Sequence, residues 1–232
     1  MGQIALVTGG NKGIGLETTR LLAAKGYEVV VVARDFAGCG ALPEGVRKVP
    51  FDLTDVEGIP DLAAKIGDVD ALVNNAGVMA SLPFDQYPLE TARRLMRLNL
   101  ETPIALITAV APGMIAKGGG RIVNTSSLAA HTGHPDVWYG ASKAALLNVT
   151  KSFAKLLGPK GVTVNAVAPG PVETDMLAVI PEPRRQSVKQ NTNTGRFAQA
   201  REVAATIVWL LSESPVYING ACIDINDGVY LR

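Results

Sequence analysis

Seven short apolar runs, separated by segments with helical periodicity, leave few architectures open to this chain of 232 residues. Residues 3–8 (QIALVT), 28–33 (EVVVVA), 46–51, 70–73, 121–125 (RIVNT), 162–168 (VTVNAVA) and 221–225 (ACIDI) are near-continuous apolar stretches. Strands buried on both faces read this way, whereas half-exposed strands alternate. Residues 58–66, 88–117, 141–157 and 200–211 have the apolar spacing of helices. Strand–helix alternation over the whole length specifies one α/β domain, 1–232, on a doubly wound parallel sheet in three α/β/α layers. The stretch after Phe36 holds three glycines and a proline, too broken for a full crossover helix. The only long irregular segment, about 172–199, reads as a substrate lid.

Composition narrows the function classes. With 47% hydrophobic and 19% charged residues the chain is no disordered segment. A formal net charge of +1 implies no nucleic-acid partner. Cys39 and Cys222 lie far apart without metal-ligand spacing and read as reduced thiols, so no metal and a cytoplasmic location are expected. The start, MGQIALVTGG, has no leader pattern, and no apolar stretch is read as long enough to span a membrane.

Directly after the first strand comes GGNKGIG, then a helical segment. Gly9, Gly13 and Gly15 are spaced GxxxGxG rather than GxGxxG. Glycines permit a tight turn and close backbone approach, and the following helix offers its first amides to a pyrophosphate. Arg34 ends the second strand where an acidic residue usually grips the adenosine ribose. A guanidinium there suits a 2′-phosphate, with Lys12 adding a second charge, and this reading is preferred to a solvated strand end. Asp52 is an N-cap for the next helix, an adenine contact, or both.

Tyr139-Gly140-Ala141-Ser142-Lys143 opens a helix-favouring segment. Tyr139 and Lys143, four apart, share a helix face. A fixed ammonium beside a phenol favours the phenolate and lowers its pKa, which suits proton exchange with an alcohol or carbonyl oxygen. Asn99 lies among apolar neighbours inside a helical pattern, a position that disfavours Asn and predicts a bend.

Taken in order, TGGNKGIG, DLTD, NNAG, RLNL, IVNTSS, YGASK, VNAVAPGPVETDM and GRFAQAREVAATIVWLLSE make the chain resemble the short-chain dehydrogenase/reductase family over nearly its full length. The resemblance implies a Rossmann-like fold and reversible reduction of a ketone or aldehyde carbonyl by a nicotinamide cofactor, and Arg34 with Lys12 favours NADPH over NADH. Tyr139 would be the proton donor or acceptor and Lys143 its tuner. Ser127 would bond the substrate oxygen, and Asn99 would anchor a water relay to Lys143. Gly9, Asn11, Lys12, Gly13, Ile14, Gly15, Arg34, Asp52, Leu53, Asn75, Ala76, Gly77, Pro169, Gly170, Val172 and Thr174, together with Asn99, Tyr139 and Lys143, would line the cofactor. A homotetramer is implied, with a dimer as the alternative. A 3-oxoacyl-carrier-protein reductase, and a non-catalytic cofactor-binding scaffold on the same fold, are the other readings.

Three features depart from the family pattern. Its usual serine-to-tyrosine spacing of about thirteen fits Ser126, while strand alignment picks Ser127, which is preferred because strands constrain more than loops. The crossover after the second strand is short. The end reads INDGVYLR in place of a double glycine. His131 and His134 read as structural or solvated. Arg184, Arg185 and Lys189 in the lid face an acidic substrate or carrier, or form a solvated basic turn. Met79, Leu128, His131, Pro171 and Met176 are pocket walls by position.

Overall fold

In the computed structural model, which describes residues 2–178 and 180–231, the apolar runs become β1 (Ile4–Thr8), β2 (Glu28–Ala33), β3 (Arg47–Pro50), β4 (Ala71–Asn74), β5 (Gly120–Thr125), β6 (Val162–Pro169) and β7 (Cys222–Ile225). The helices are α1 (Gly13–Ala24), α2 (Ile59–Ile66), α3 (Leu89–Met96), α4 (Thr102–Ala116), α5 (Ala129–Thr132), α6 (Val137–Leu157), α7 (Asp175–Ala178), α8 (Glu182–Gln190) and α9 (Ala200–Ser212). The strands form one parallel sheet in the order β3-β2-β1-β4-β5-β6-β7. Ala5 of β1 pairs with Val29 on one side and Ala71 on the other. The winding reverses at β1, so a crevice opens at the carboxyl ends of β1 and β4, where ligands bind in such sheets.

Alternate strand residues supply two cores. Leu6, Val30, Leu72, Ile122 and Val164 pack with Ile59 and Leu62 of α2, Leu106 and Ile107 of α4, and Leu157 of α6. Ala5, Val7, Val31, Val73 and Val123 pack on the other face with Leu22 of α1 and Val203 and Ile207 of α9. Both faces being covered explains why the strands read as unbroken apolar runs.

The helical stretch at 88–117 differs from a plain helix. α3 and α4 are joined without a break by a π turn, Arg97–Glu101, with Asn99 buried inside it. The expected bend takes the form of this wider turn, whose extra residue opens the hydrogen-bond ladder. The continuous run Leu89–Ala116 is 28 residues long and apolar enough to cross a membrane by length and composition. That corrects the expectation that no stretch reaches this length. Its composition follows from packing on the sheet, where Leu106, Ile107, Val110 and Met114 are buried.

The segment expected to be a lid also differs. Residues 172–199 hold α7 and α8, and a bridge between Val172 and Ala198 closes the base. Its Pro-Glu-Pro sequence reads as irregular, yet Pro181 is the N-cap of α8 and Pro183 lies in its first turn, where no amide is needed. Val179 of this segment lies outside the described residues. No helix occupies the crossover between β2 and β3 among the described residues, as its glycines predict.

Candidate active site

Tyr139 sits in the first turn of α6, which begins at Val137, ahead of the sequence expectation. Asp136 is the cause. It is the N-cap, and its Oδ1 accepts the Tyr139 amide at 3.0 Å. Its Oδ2 accepts the amides of Ala80 and Ser81, each at 3.0 Å, and the Tyr87 hydroxyl at 3.3 Å. One buried carboxylate thus ties the helix to the loop after β4. Burial, then the charge of Asp136, pushes the Tyr87 phenol up to about 12. Ser81, at φ 52°, is a non-glycine residue in the left-handed region, held there by the same carboxylate.

The two serines divide in role. Ser126 is buried, and its Oγ donates to the Lys143 carbonyl at 2.9 Å, bracing α6 against β5. Ser127 is partly accessible. Its Oγ accepts the Ala129 amide at 3.2 Å, and its side chain lies near enough to the Tyr139 phenol to pull the phenol's pKa down.

The phenol does not behave as its spacing from Lys143 predicts. Burial pushes the Tyr139 pKa up, the Ser127 hydrogen bond pulls it down, and the Asp136 charge raises it again. The net shift is upward, which corrects the expectation of a lowered value. Lys143 Nζ lies 5.9 Å from the Tyr139 ring centroid and donates to the Thr125 carbonyl at 2.8 Å. Burial brings that ammonium down to about 8.

Asn99 closes the group from below. Its Oδ1 accepts the Val78 amide at 2.9 Å, and its Nδ2 donates to the Val78 carbonyl at 2.9 Å and to Ser142 Oγ at 3.1 Å. Ser142 Oγ donates in turn to the Tyr139 carbonyl at 2.8 Å. A Cβ on Gly77 would stand 3.2 Å from Asn99 Oδ1 and 3.3 Å from Lys143 Nζ, so glycine keeps this approach open.

The glycine turn meets the same crevice from β1. α1 starts at Gly13 with no side-chain cap and no acidic residue in its first turn, leaving the first amides, including those of Ile14 and Gly15, free for an anion. A Cβ on Gly15 would fall 2.2 Å from the Gly9 carbonyl oxygen, so only glycine fits where helix and turn touch. Asn75 Nδ2 donates to the Thr8 carbonyl at 3.1 Å, while Thr8 Oγ1 accepts the Asn75 and Ala76 amides at 2.9 and 3.0 Å. Asn11 Nδ2 donates to the Asp35 carbonyl at 3.0 Å.

From the other side come Pro169 at the end of β6, then Gly170, Val172 and Thr174. Leu128 donates its amide to the Pro169 carbonyl at 2.8 Å, and Gly170 donates its amide to the Ile225 carbonyl at 2.9 Å. A Cβ on Gly13 would lie 3.2 Å from Thr174 Cγ2, so this segment faces the glycine turn directly. Lys12 is paired with Asp175 at 3.3 Å, both exposed, rather than held free for a phosphate.

Arg34 is exposed beyond β2. Asp35 turns away into its own loop, its Oδ1 accepting the Ala37 amide at 3.1 Å. Asp52 is not the N-cap of α2, which is Gly58. Its Oδ1 accepts the amide and hydroxyl of Thr54 at 3.0 and 2.9 Å. The Thr54 amide foremost, with Arg94 and Arg34 adding charge, holds its pKa below the usual carboxylate value. Leu53 gives its side chain to the core and its carbonyl to Thr102, so only its backbone remains for a ligand.

Of the expected walls, Met79 packs against the cluster of Leu95, Ala129 and Tyr139, and Met176 is exposed on α7. His131 does not serve as a wall; it turns toward Asp224 and Tyr230. His134 packs edge-on against Tyr139 at 5.3 Å and accepts the Asp136 amide at 3.1 Å, while burial, then Arg184, lowers its pKa. Arg185 pairs with Glu182 along α8 at 3.3 Å, and Lys189 is exposed. The altered end carries Asp227 at φ 55°, its carboxylate accepting the amide and hydroxyl of Thr194 at 2.7 and 2.9 Å. A residue with positive φ there is held from the base of the lid.

Asp136, Ser142 and Tyr87 are the participants that sequence reasoning passed over. An Asp three residues before Tyr139, at the start of a helical pattern, is an N-cap signal that could have revealed the first.

A family model described as Enoyl-(Acyl carrier protein) reductase matches residues 9–230. The 3-oxoacyl-[acyl-carrier-protein] reductase FabG of Vibrio harveyi is 34% identical over 239 residues, covering 99% of this chain and 98% of the relative. That of Aquifex aeolicus is 36% identical over 242 residues, with coverages of 99% and 98%. A crystal structure described as a putative NAD(P) dependent gluconate 5-dehydrogenase from Beutenbergia cavernae, with NADP bound at low occupancy, superposes with a TM-score of 0.90 at 30% identity, covering 98% of this chain and 96% of that one. A structure described as a short chain dehydrogenase/reductase family protein superposes with a TM-score of 0.89 at 37% identity, with coverages of 97% and 96%. With full-length relatives above 30% identity and its serine, tyrosine, lysine and asparagine gathered at the carboxyl end of a doubly wound sheet, the chain belongs to the short-chain dehydrogenase/reductase family.

Proposed function

We propose that this protein is an NADPH-dependent carbonyl reductase, converting a ketone or aldehyde to an alcohol, reversibly. The observation that carries the reading is the juxtaposition of the Ser127 and Tyr139 side chains beside buried Lys143 and opposite the glycine turn.

The residues present fit the cofactor. Uncapped amides of α1 suit its pyrophosphate, Arg34 its 2′-phosphate, and Lys143, reached past Gly77, its nicotinamide ribose. Bound NADPH supplies hydride to the carbonyl carbon. Ser127 donates a hydrogen bond to the carbonyl oxygen, stabilising negative charge as it grows. Tyr139, kept protonated by its raised pKa, gives its proton to the same oxygen. Lys143, held by the Thr125 carbonyl, keeps a positive charge near the phenolate that remains. Asn99 holds the π turn and, through Ser142, the carbonyl of Tyr139. A water relay from Lys143 past Asn99 would return the proton.

Among carbonyl compounds, a 3-oxoacyl thioester on an acyl carrier protein is favoured by the activity for which the full-length relatives are named. The family model's description names an enoyl substrate instead. Two hydroxyls serving one oxygen favour the carbonyl. We place the enzyme in the cytoplasm, with its two cysteines as thiols. We assign a homotetramer because Val137, Trp138 and Leu156 leave α6 apolar and exposed.

The test is steady-state NADPH oxidation with acetoacetyl and enoyl thioesters and a panel of ketones, for the wild type and Tyr139→Phe. Carbonyl turnover that falls by about a thousandfold or more in the variant, with NADPH binding retained, is expected. Binding without turnover by the wild type would make the protein a scaffold, and turnover of enoyl thioesters alone would reassign the reaction.

A further inference from the structure

His131 lies far from Cys222 and Asp224 in sequence, yet the three meet at the sheet edge. One imidazole nitrogen, one sulfur and one carboxylate oxygen all lie within 4.8 Å of one another, on partly buried residues. The approach is built by the fold. Cys222 and Asp224, two apart on β7, project from one face of the strand. His131 comes from α5, the short helix just after Ser127. Its ring is stacked on Tyr230, with centroids 5.4 Å apart and planes inclined by 8°, which fixes the direction of its nitrogens. Nε2 lies 3.5 Å from Asp224 Oδ1, longer than the roughly 2.7–2.9 Å of a charge-assisted hydrogen bond.

The donor set selects the ion. A thiolate and an imidazole suit a borderline-soft metal, whereas magnesium and calcium take oxygen ligands. Metal–ligand bonds of roughly 2.0–2.3 Å hold tetrahedral ligands some 3.3–3.8 Å apart. The present spread closes to that by side-chain rotation of about 1 Å. We propose that His131, Cys222 and Asp224 form a Zn²⁺ site with its fourth position open to water. On binding, the Cys222 S–H bond breaks, the sulfur bonds the metal, and the proton leaves to solvent, with no change in oxidation state. The ion would clamp α5, and with it the segment following Ser127, to the last strand.

Chelator-treated protein should be titrated with Zn²⁺ against a chromophoric chelator, and with Co²⁺ by absorbance. We expect one Zn²⁺ per chain, a thiolate-to-cobalt charge-transfer band in the wild type, and a melting temperature raised by Zn²⁺ and not by Mg²⁺. Cys222→Ser should remove the band and weaken Zn²⁺ by about tenfold or more, and Asp224→Asn should weaken it similarly. Cys39→Ser should change neither. The wild-type cobalt spectrum reports thiolate ligation even if a variant fails to fold. No uptake, the result expected of a histidine–aspartate ion pair, would overturn the site. So would a wild type without the charge-transfer band, Zn²⁺ affinity unaltered by Cys222→Ser, or loss of binding in Cys39→Ser.

Discussion

Asp136 accepts the backbone N–H of Tyr139 through Oδ1 at 3.0 Å, so the residue that starts α6 also positions its phenol. Oδ2 of the same carboxylate accepts two amides and a hydroxyl from the loop after β4, whose Met79 packs against the cluster that holds the phenol. Helix, loop and ring are therefore set by one buried group.

Removing that group should be costly. Asp136→Ala deletes an N-cap, worth roughly 0.5–2 kcal/mol, and orphans buried donors at roughly 1–3 kcal/mol each. A loss of roughly 3–5 kcal/mol in urea unfolding is expected, with kcat reduced more than cofactor affinity. A change below about 1 kcal/mol would show that Asp136 does not organise the site.

The serines should separate by the quantity they affect. Ser127→Ala should lower kcat by about a hundredfold to a thousandfold, the scale of one lost oxyanion donor. Ser126→Ala should cost roughly 0.5–1.5 kcal/mol of stability, through its bond to the Lys143 carbonyl, with little effect on kcat. The reverse ranking in kcat would give the catalytic role to Ser126.

Most of the fold was legible because the sheet is covered on both sides: runs such as EVVVVA admit few other readings. Tyr139, Lys143 and Asn99 were singled out by spacing and local context, and their expected roles came from the family resemblance. What spacing could not supply was environment. It set Lys143 beside Tyr139 but could not show that Nζ would bond Thr125, or that burial would outweigh charge at the phenol. Asp136 was passed over because its partners, Ala80, Ser81 and Tyr87, are far away in sequence. The lid helix α8 was missed because prolines that break a helix interior are harmless in its first turn. His131 and Cys222 showed no ligand spacing because only the sheet order brings them together.

Buried Lys143 should leave a signature in stability against pH. Its folded pKa, about 8, lies below the ordinary lysine value of 10.5. Between these values the unfolded chain binds more protons, so this group makes stability rise with pH. Its burial cost is fully present below pH 8 and disappears as pH climbs toward 10.5. Tyr139 acts oppositely on a different range. With its folded pKa raised, the stability it contributes is complete below about pH 10, where an unfolded phenol begins to ionise, and is lost only as pH rises past that value. From pH 8 to 10 the wild type should gain roughly 2 kcal/mol relative to Lys143→Met, since a full proton difference is worth about 1.36 kcal/mol for each pH step of one. Parallel unfolding curves for the two proteins across that window would show that the ammonium is not destabilised by burial.

Cofactor choice should rest on Arg34. It is exposed beyond β2, and Asp35, the residue that would repel a 2′-phosphate, has its Oδ1 on the Ala37 amide. Neighbouring side chains at a strand end point to opposite faces, so the guanidinium and the Asp35 carboxylate do not compete for one ribose. Arg34 also lies close enough to Asp52 to help lower its pKa. Lys12 contributes less, because it is shared with Asp175 and both are exposed. The wild type should therefore prefer NADPH over NADH in kcat/KM. Arg34→Ala should lower the NADPH value by about tenfold to a hundredfold, the scale of a lost charged hydrogen bond, and leave the NADH value nearly unchanged. Lys12→Ala should have a smaller effect of the same sign. A wild type that prefers NADH, or an Arg34→Ala enzyme with its preference intact, would remove the arginine from phosphate recognition.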